Sequence, residues 1–72
     1  MSNTLNAAKA HTAGYISALN NGSRAPCQNK EIMEIVAILS GCGNADQIIE
    51  VLEQFEAGYK LRCSQEAEAA LQ

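Results

Sequence analysis

Apolar residues are densest in the middle of the chain, where Ile32, Met33, Ile35, Val36, Ile38 and Leu39 are followed by Ile48, Ile49, Val51, Leu52, Phe55 and Tyr59 across the turn Ser40-Gly41-Cys42-Gly43-Asn44. Both runs recur at three- and four-residue intervals, which predicts a hairpin of two helices. The first helix of the hairpin begins at Pro26 or is capped by Asn29, and it stops at Ser40-Gly41. Ile32, Ile35, Val36 and Leu39 share one face, with Met33 on its edge and Ile38 well round the other side; Glu31, Glu34 and Lys30 leave a narrow polar strip. A helix so apolar around its circumference is expected at the centre of a bundle or under a second chain.

The next helix opens at Ala45, behind the capping-box relative Asn44-Ala45-Asp46-Gln47, with Asp46 favourably set against the helix dipole. Ile48, Leu52, Phe55 and Tyr59 recur at spacings of 4, 3 and 4, a coiled-coil-like seam that continues to Cys63 and so puts Gly58 inside the helix. Beyond Cys63 the pattern fails, because Glu66 would land on the apolar face. A break is expected there, with Ser64-Gln65-Glu66 recapping a short fourth helix through Leu71.

Nearer the N-terminus a helix is expected from about Thr4 to Leu19, capped by Ser2, Asn3 or Thr4 and stopped by Asn20-Asn21-Gly22. Its larger side chains, Leu5, Thr12, Ile16 and Leu19 with Ala8 and Tyr15 alongside, fall on one stripe. Ala10, Gly14 and Ala18 make a separate row at four-residue steps, where another helix backbone can come unusually close. With Met33, Ile38 and Tyr59, that row is the expected contact between copies of the chain. Residues 20–26 read as a loop, since Pro26 pushes Ala25 out of the helical region. No repeat, low-complexity tract or linker is evident. The predicted fold is all-α: a single domain over residues 1–72, an antiparallel three-helix bundle on a helical hairpin core, with a short fourth helix and a homo-oligomeric state. A chain of 72 residues buries only about 60% of its unfolded surface, which makes oligomerisation the natural expectation.

Composition narrows the class. A net charge of −3 with 47% hydrophobic residues is too apolar and too weakly charged for disorder. No apolar run approaches the roughly 18 residues of a membrane span. The first nine residues lack a basic region followed by an apolar block, so a cytoplasmic protein without membrane contact is expected. In that setting the odd set Cys27, Cys42 and Cys63 reads as reduced thiols, buried or half-buried except for Cys42, which sits between two glycines in a turn and is open to labelling or oxidation.

Candidate chemistry is sparse. The three cysteines and His11 match the ligand count of some zinc sites, but no two of them lie closer than about 15 residues apart, unlike the tight knuckles such sites use. Cys27, near a helix start, is the best placed nucleophile, yet the only imidazole, His11, is on another helix. Gly41-Cys42-Gly43 lacks the preceding strand and the Lys-Ser/Thr pair of a phosphate loop. A helix-turn-helix reading would present Asp46, Glu50, Glu53 and Glu56 to phosphates, while the five basic residues do not gather, which argues against nucleic acid. No enzyme activity, metal or cofactor is therefore expected.

The expected function is that of an interaction protein, one that regulates or inhibits another protein through a helical surface. The acidic ridge Asp46, Glu50 and Glu53 is the partner-binding candidate. Small size, helical content and mild acidity suit phage or mobile-element inhibitors of the antirepressor or anti-defence type. An alternative is an oligomer that sequesters a small ligand or nucleotide signal through Tyr15, Asn21, Arg24 and Lys30, and a further alternative is the helix-turn-helix regulator.

Overall fold

The computed structural model describes residues 2–71, and the side chains from Leu5 onward. Three α-helices, α1 (Ser2–Leu19), α2 (Lys30–Gly41) and α3 (Ala45–Leu71), are joined by a loop carrying one 3-10 turn (Pro26–Gln28) and by a tight turn. Among the described residues there is no strand, in keeping with the all-α expectation. The capping roles assigned to Ser2, Asn3 and Thr4 fall on side chains outside the described ones; the helix itself already runs from Ser2.

Local chemistry sets the other boundaries. At the end of α1, Gly22 N–H donates to Ser17 O and Asn21 N–H donates to Ala18 O, with Asn21 at φ +58. At the end of α2, Asn44 N–H donates to Leu39 O and Gly43 N–H donates to Ser40 O, with Gly43 at φ +69. Both patterns are Schellman closures, in which one left-handed residue returns two amides to the last carbonyls. Asn and Gly are the residues that take this conformation at least cost. Between the two closures, Ala25 is extended before Pro26, and Asn29 Oδ1 accepts from Ile32 N–H at 3.1 Å to start α2. The capping box expected at α3 does not form. The Asn44 amide is already committed to Leu39, and Gln47 Oε1 is buried with no hydrogen-bond partner among the described residues.

Three further expectations are corrected by the packing. First, α2 is not the central element. It sinks Ile32 and Leu39, half-buries Ile35 and Val36, and leaves Met33 and Ile38 outside, whereas α3 supplies Val51 and Phe55 and packs against both other helices. The dominant contact is α1 on α3, not the α2–α3 hairpin. Second, the stripe of larger residues on α1 faces outward. Leu5, Ile16 and Leu19 are exposed, with Ala8 and Thr12 beside them, while Ala10, Ala13, Gly14 and Ala18 are buried.

Third, α3 neither breaks nor restarts after Cys63, so no separate fourth helix exists among the described residues. The break was expected because Glu66 would point into a core, but from Cys63 to Leu71 α3 is exposed on every side and Glu66 pairs with Arg62 at 3.3 Å. Ala, Gln and Glu in this stretch favour helix on their own. At 27 residues, α3 is about 40 Å long, and it sets the 46 Å length of the molecule.

The α1–α3 contact is built on two glycines that fit reciprocally. A Cβ on Gly14 would run into the Phe55 carbonyl oxygen and lie 3.0 Å from Tyr59 N; a Cβ on Gly58 would run into the His11 carbonyl oxygen and lie 3.1 Å from Tyr15 N. Each backbone occupies the space that the other glycine leaves empty. The row Ala10-Gly14-Ala18 therefore spends its close approach on α3 of the same chain, not on a second copy. Gly14→Ala and Gly58→Ala should each destabilise the chain by about 2 kcal/mol or more through overpacking. Helix propensity alone would predict the opposite sign, by about 1 kcal/mol. Gly41→Ala, whose Cβ meets nothing within 4 Å, should instead stabilise by up to about 1 kcal/mol. Urea unfolding midpoints at unchanged slope distinguish the two outcomes.

Candidate functional site

The acidic ridge lies on α3, away from α1. Asp46, Glu50 and Glu53 follow at i, i+4 and i+7, which aligns them along one side of the helix. Asp46 and Glu53 are exposed and Glu50 is half-buried. Among the described residues none of the three takes part in an ion pair, in contrast to Glu56 and Glu66. Ile49 stands beside them, three residues from Asp46 and four from Glu53, and is 57% exposed. The outer side of α3 thus combines unpaired carboxylates with a large apolar side chain.

One helical turn further on, Glu56 behaves differently. Its Oε1 meets Lys60 Nζ at 3.1 Å and Arg24 Nη2 at 3.3 Å, tying the α1–α2 loop to α3. The hydrogen bond and charge of Lys60, then those of Arg24, hold the Glu56 carboxyl below its ordinary value. All three groups are exposed, so this cluster is a solvent-screened surface tether.

Three of the four residues of the ligand-binding reading are put to structural use. Tyr15 Oη donates to Gln65 Oε1 at 2.6 Å, Arg24 holds Glu56, Asn21 closes α1 in its left-handed conformation, and Lys30 is an exposed first residue of α2. No hydrogen bond joins these four to one another, and the described residues enclose no pocket. Of the remaining interface candidates, Met33 and Ile38 (68% exposed) lie on different sides of α2. Tyr59 is half-buried, tilted against Phe55 with ring centroids 6.5 Å apart, and donates to Gly22 O at 2.9 Å.

Other groupings can be placed in the same way. Cys27, Cys42 and Cys63 are all exposed, as expected for Cys42 in its glycine-flanked turn and against the buried or half-buried expectation for Cys27 and Cys63. Among the described residues no three His, Cys, Asp or Glu side chains come together as metal ligands would. The Gly41-Cys42-Gly43 amides at Cys42 and Gly43 donate to Ile38, Leu39 and Ser40 carbonyls, so the turn spends those donors on closing α2.

Gly58 lies inside α3 as the seam predicts, but the sequence pattern did not reveal its decisive place in the crossing. A signal for it existed in the tripeptide Ala13-Gly14-Tyr15, which recurs as Ala57-Gly58-Tyr59, with each glycine in the crossing and each tyrosine reaching to a more distant segment. No protein-family model, curated protein or solved structure matches this chain.

The tether has a pH signature. Because the folded-state pKa of Glu56 is lowered, its contribution is fully present above the ordinary carboxylate range, near pH 4.3, and is lost as the pH falls through the lower folded value. In an NMR titration of the side-chain carboxyl, Lys60→Met should raise the Glu56 midpoint more than Arg24→Met does. An equal or reversed order would contradict the assignment of Lys60 as the principal cause.

Proposed function

We propose that this chain is a non-enzymatic interaction protein that regulates or inhibits a partner by laying the outer side of α3 against a basic surface. The observation that carries the reading is the unpaired Asp46, Glu50 and Glu53 beside the exposed Ile49. An apolar anchor flanked by like charges offers desolvation at its centre and charge selection at its rim. The carboxylates steer a partner of opposite sign and reject acidic surfaces, and Ile49 supplies apolar contact on arrival.

The same side of α3 argues against a role on nucleic acid, because phosphates would meet these carboxylates first. Its partner is a protein whose own basic surface is in use elsewhere, for instance in gripping nucleic acid, so that occupation amounts to inhibition.

Reversing the ridge should separate binding from folding. In extract of the natural host at about 0.15 M salt, the wild-type chain should retain one protein in stoichiometric amount. Glu50→Lys with Glu53→Lys should lose it roughly 100-fold while keeping the helical circular dichroism of the parent. Retention of the same protein by the reversed chain would remove the ridge from the mechanism, and the absence of any stoichiometric protein would overturn the reading.

A further inference from the structure

The outward face of α1 has a symmetry that points to a particular occupant. Leu5, Ala8, Thr12, Ile16 and Leu19 follow at steps of 3, 4, 4 and 3, so the positions of the stripe, though not all of its side chains, are spaced symmetrically about Thr12. All five are exposed, with Leu5 at 57% and Ile16 and Leu19 at 48% each. The face they form lies opposite the buried row of Ala10, Ala13, Gly14 and Ala18, so α3 covers one side of α1 and leaves the other bare.

We propose that this stripe pairs with the same stripe of a second copy, the two α1 helices running antiparallel about a two-fold axis at Thr12. In that register Leu5 of one protomer meets Leu19 of its partner, Ala8 meets Ile16, and Thr12 meets Thr12. Such self-complementarity is what a two-fold interface requires of a single surface. The small Ala8 opposite the larger Ile16 also lets the two layers interdigitate.

Charge favours the same occupant. The chain carries a net charge of −3, and all eight acidic residues lie on α2 and α3. Copies approaching through those helices repel, whereas α1 has no acidic residue and carries Lys9 at the margin of the stripe. Area sets the strength. The stripe is about 21 Å long and one helix face, roughly 10 Å, wide, so it covers on the order of 200 Å², well short of the roughly 800 Å² per partner of a standard interface. The pairing is therefore reversible and concentration-dependent, not obligate. It stands apart from the ridge on α3, which it leaves uncovered.

The test uses the full chain at neutral pH. Sedimentation equilibrium from about 1 µM to 1 mM should show a monomer–dimer equilibrium. Thr12→Glu, which sets two carboxylates against each other on the axis, should weaken it at least roughly ten-fold, and Thr12→Leu should tighten it. In a chain whose exposed Cys27, Cys42 and Cys63 are changed to Ser, Thr12→Cys should be linked to its own copy by a short bis-maleimide. Leu5→Cys alone should not, because its copies stand about 21 Å apart; mixed with Leu19→Cys chains it should give crossed dimers. A wild-type chain that stays monomeric throughout, or a dimer indifferent to Thr12→Glu and unlinked through position 12, overturns the proposal. Either result would leave the α3 ridge to be judged by its own partner capture.

Discussion

The reciprocal seating of Gly14 and Gly58 is the contact on which the rest of the structure depends. Two helices that meet backbone to backbone have little room for large side chains between them, so the buried face of α1 consists of alanines and a glycine. The larger residues of α1 are excluded from that contact and end on the surface. The same crossing fixes Tyr15 and Tyr59, each next to a crossing glycine, and directs their hydroxyls to Gln65 and to the Gly22 carbonyl. Helix α2 is then left to cover what remains open, with Ile32 and Leu39 against Val51 and Phe55.

This order of packing explains what could be read in the sequence and what could not. The ends of α1 and α2 were legible because they rest on local chemistry: Asn29 as a cap, Asn20-Asn21-Gly22 and Ser40-Gly41 as stops, Pro26 as a break; which residue takes the left-handed conformation at each stop, Asn21 or Gly43, was seen only in three dimensions. Which face of α1 is buried was not legible. Side-chain size points to Leu5, Ile16 and Leu19, and only the partner glycine on α3 makes the smaller face the better one. The continuity of α3 was missed for a related reason, since a failing apolar pattern signals a helix end only where the helix has a core to face. At the candidate site, the alignment of Asp46, Glu50 and Glu53 could be read from spacing alone. The absence of basic partners beside them in the described structure, and the use of Arg24 by Glu56, needed three dimensions.

The surface that results is divided by function of position. The crossing and its tyrosine ties engage polar groups near the α1–α2 loop: Tyr15 reaches Gln65, Asn21 closes α1 and Arg24 holds Glu56. Left unspent, besides the scattered exposed Met33, Ile38, Leu61 and Leu71, are the ridge with Ile49 on α3 and the apolar stripe on α1. These two surfaces are on different helices and differ in character, so occupation of one does not chemically compete with occupation of the other.

The confinement of every acidic residue to α2 and α3 also gives the molecule a transverse electrical polarity, since α1 contributes only Lys9 and His11. Near a positively charged body such a molecule experiences a torque before it experiences a contact, turning the acidic helices inward and α1 away. It would arrive already oriented, and its apolar α1 face would remain turned to the solvent after docking.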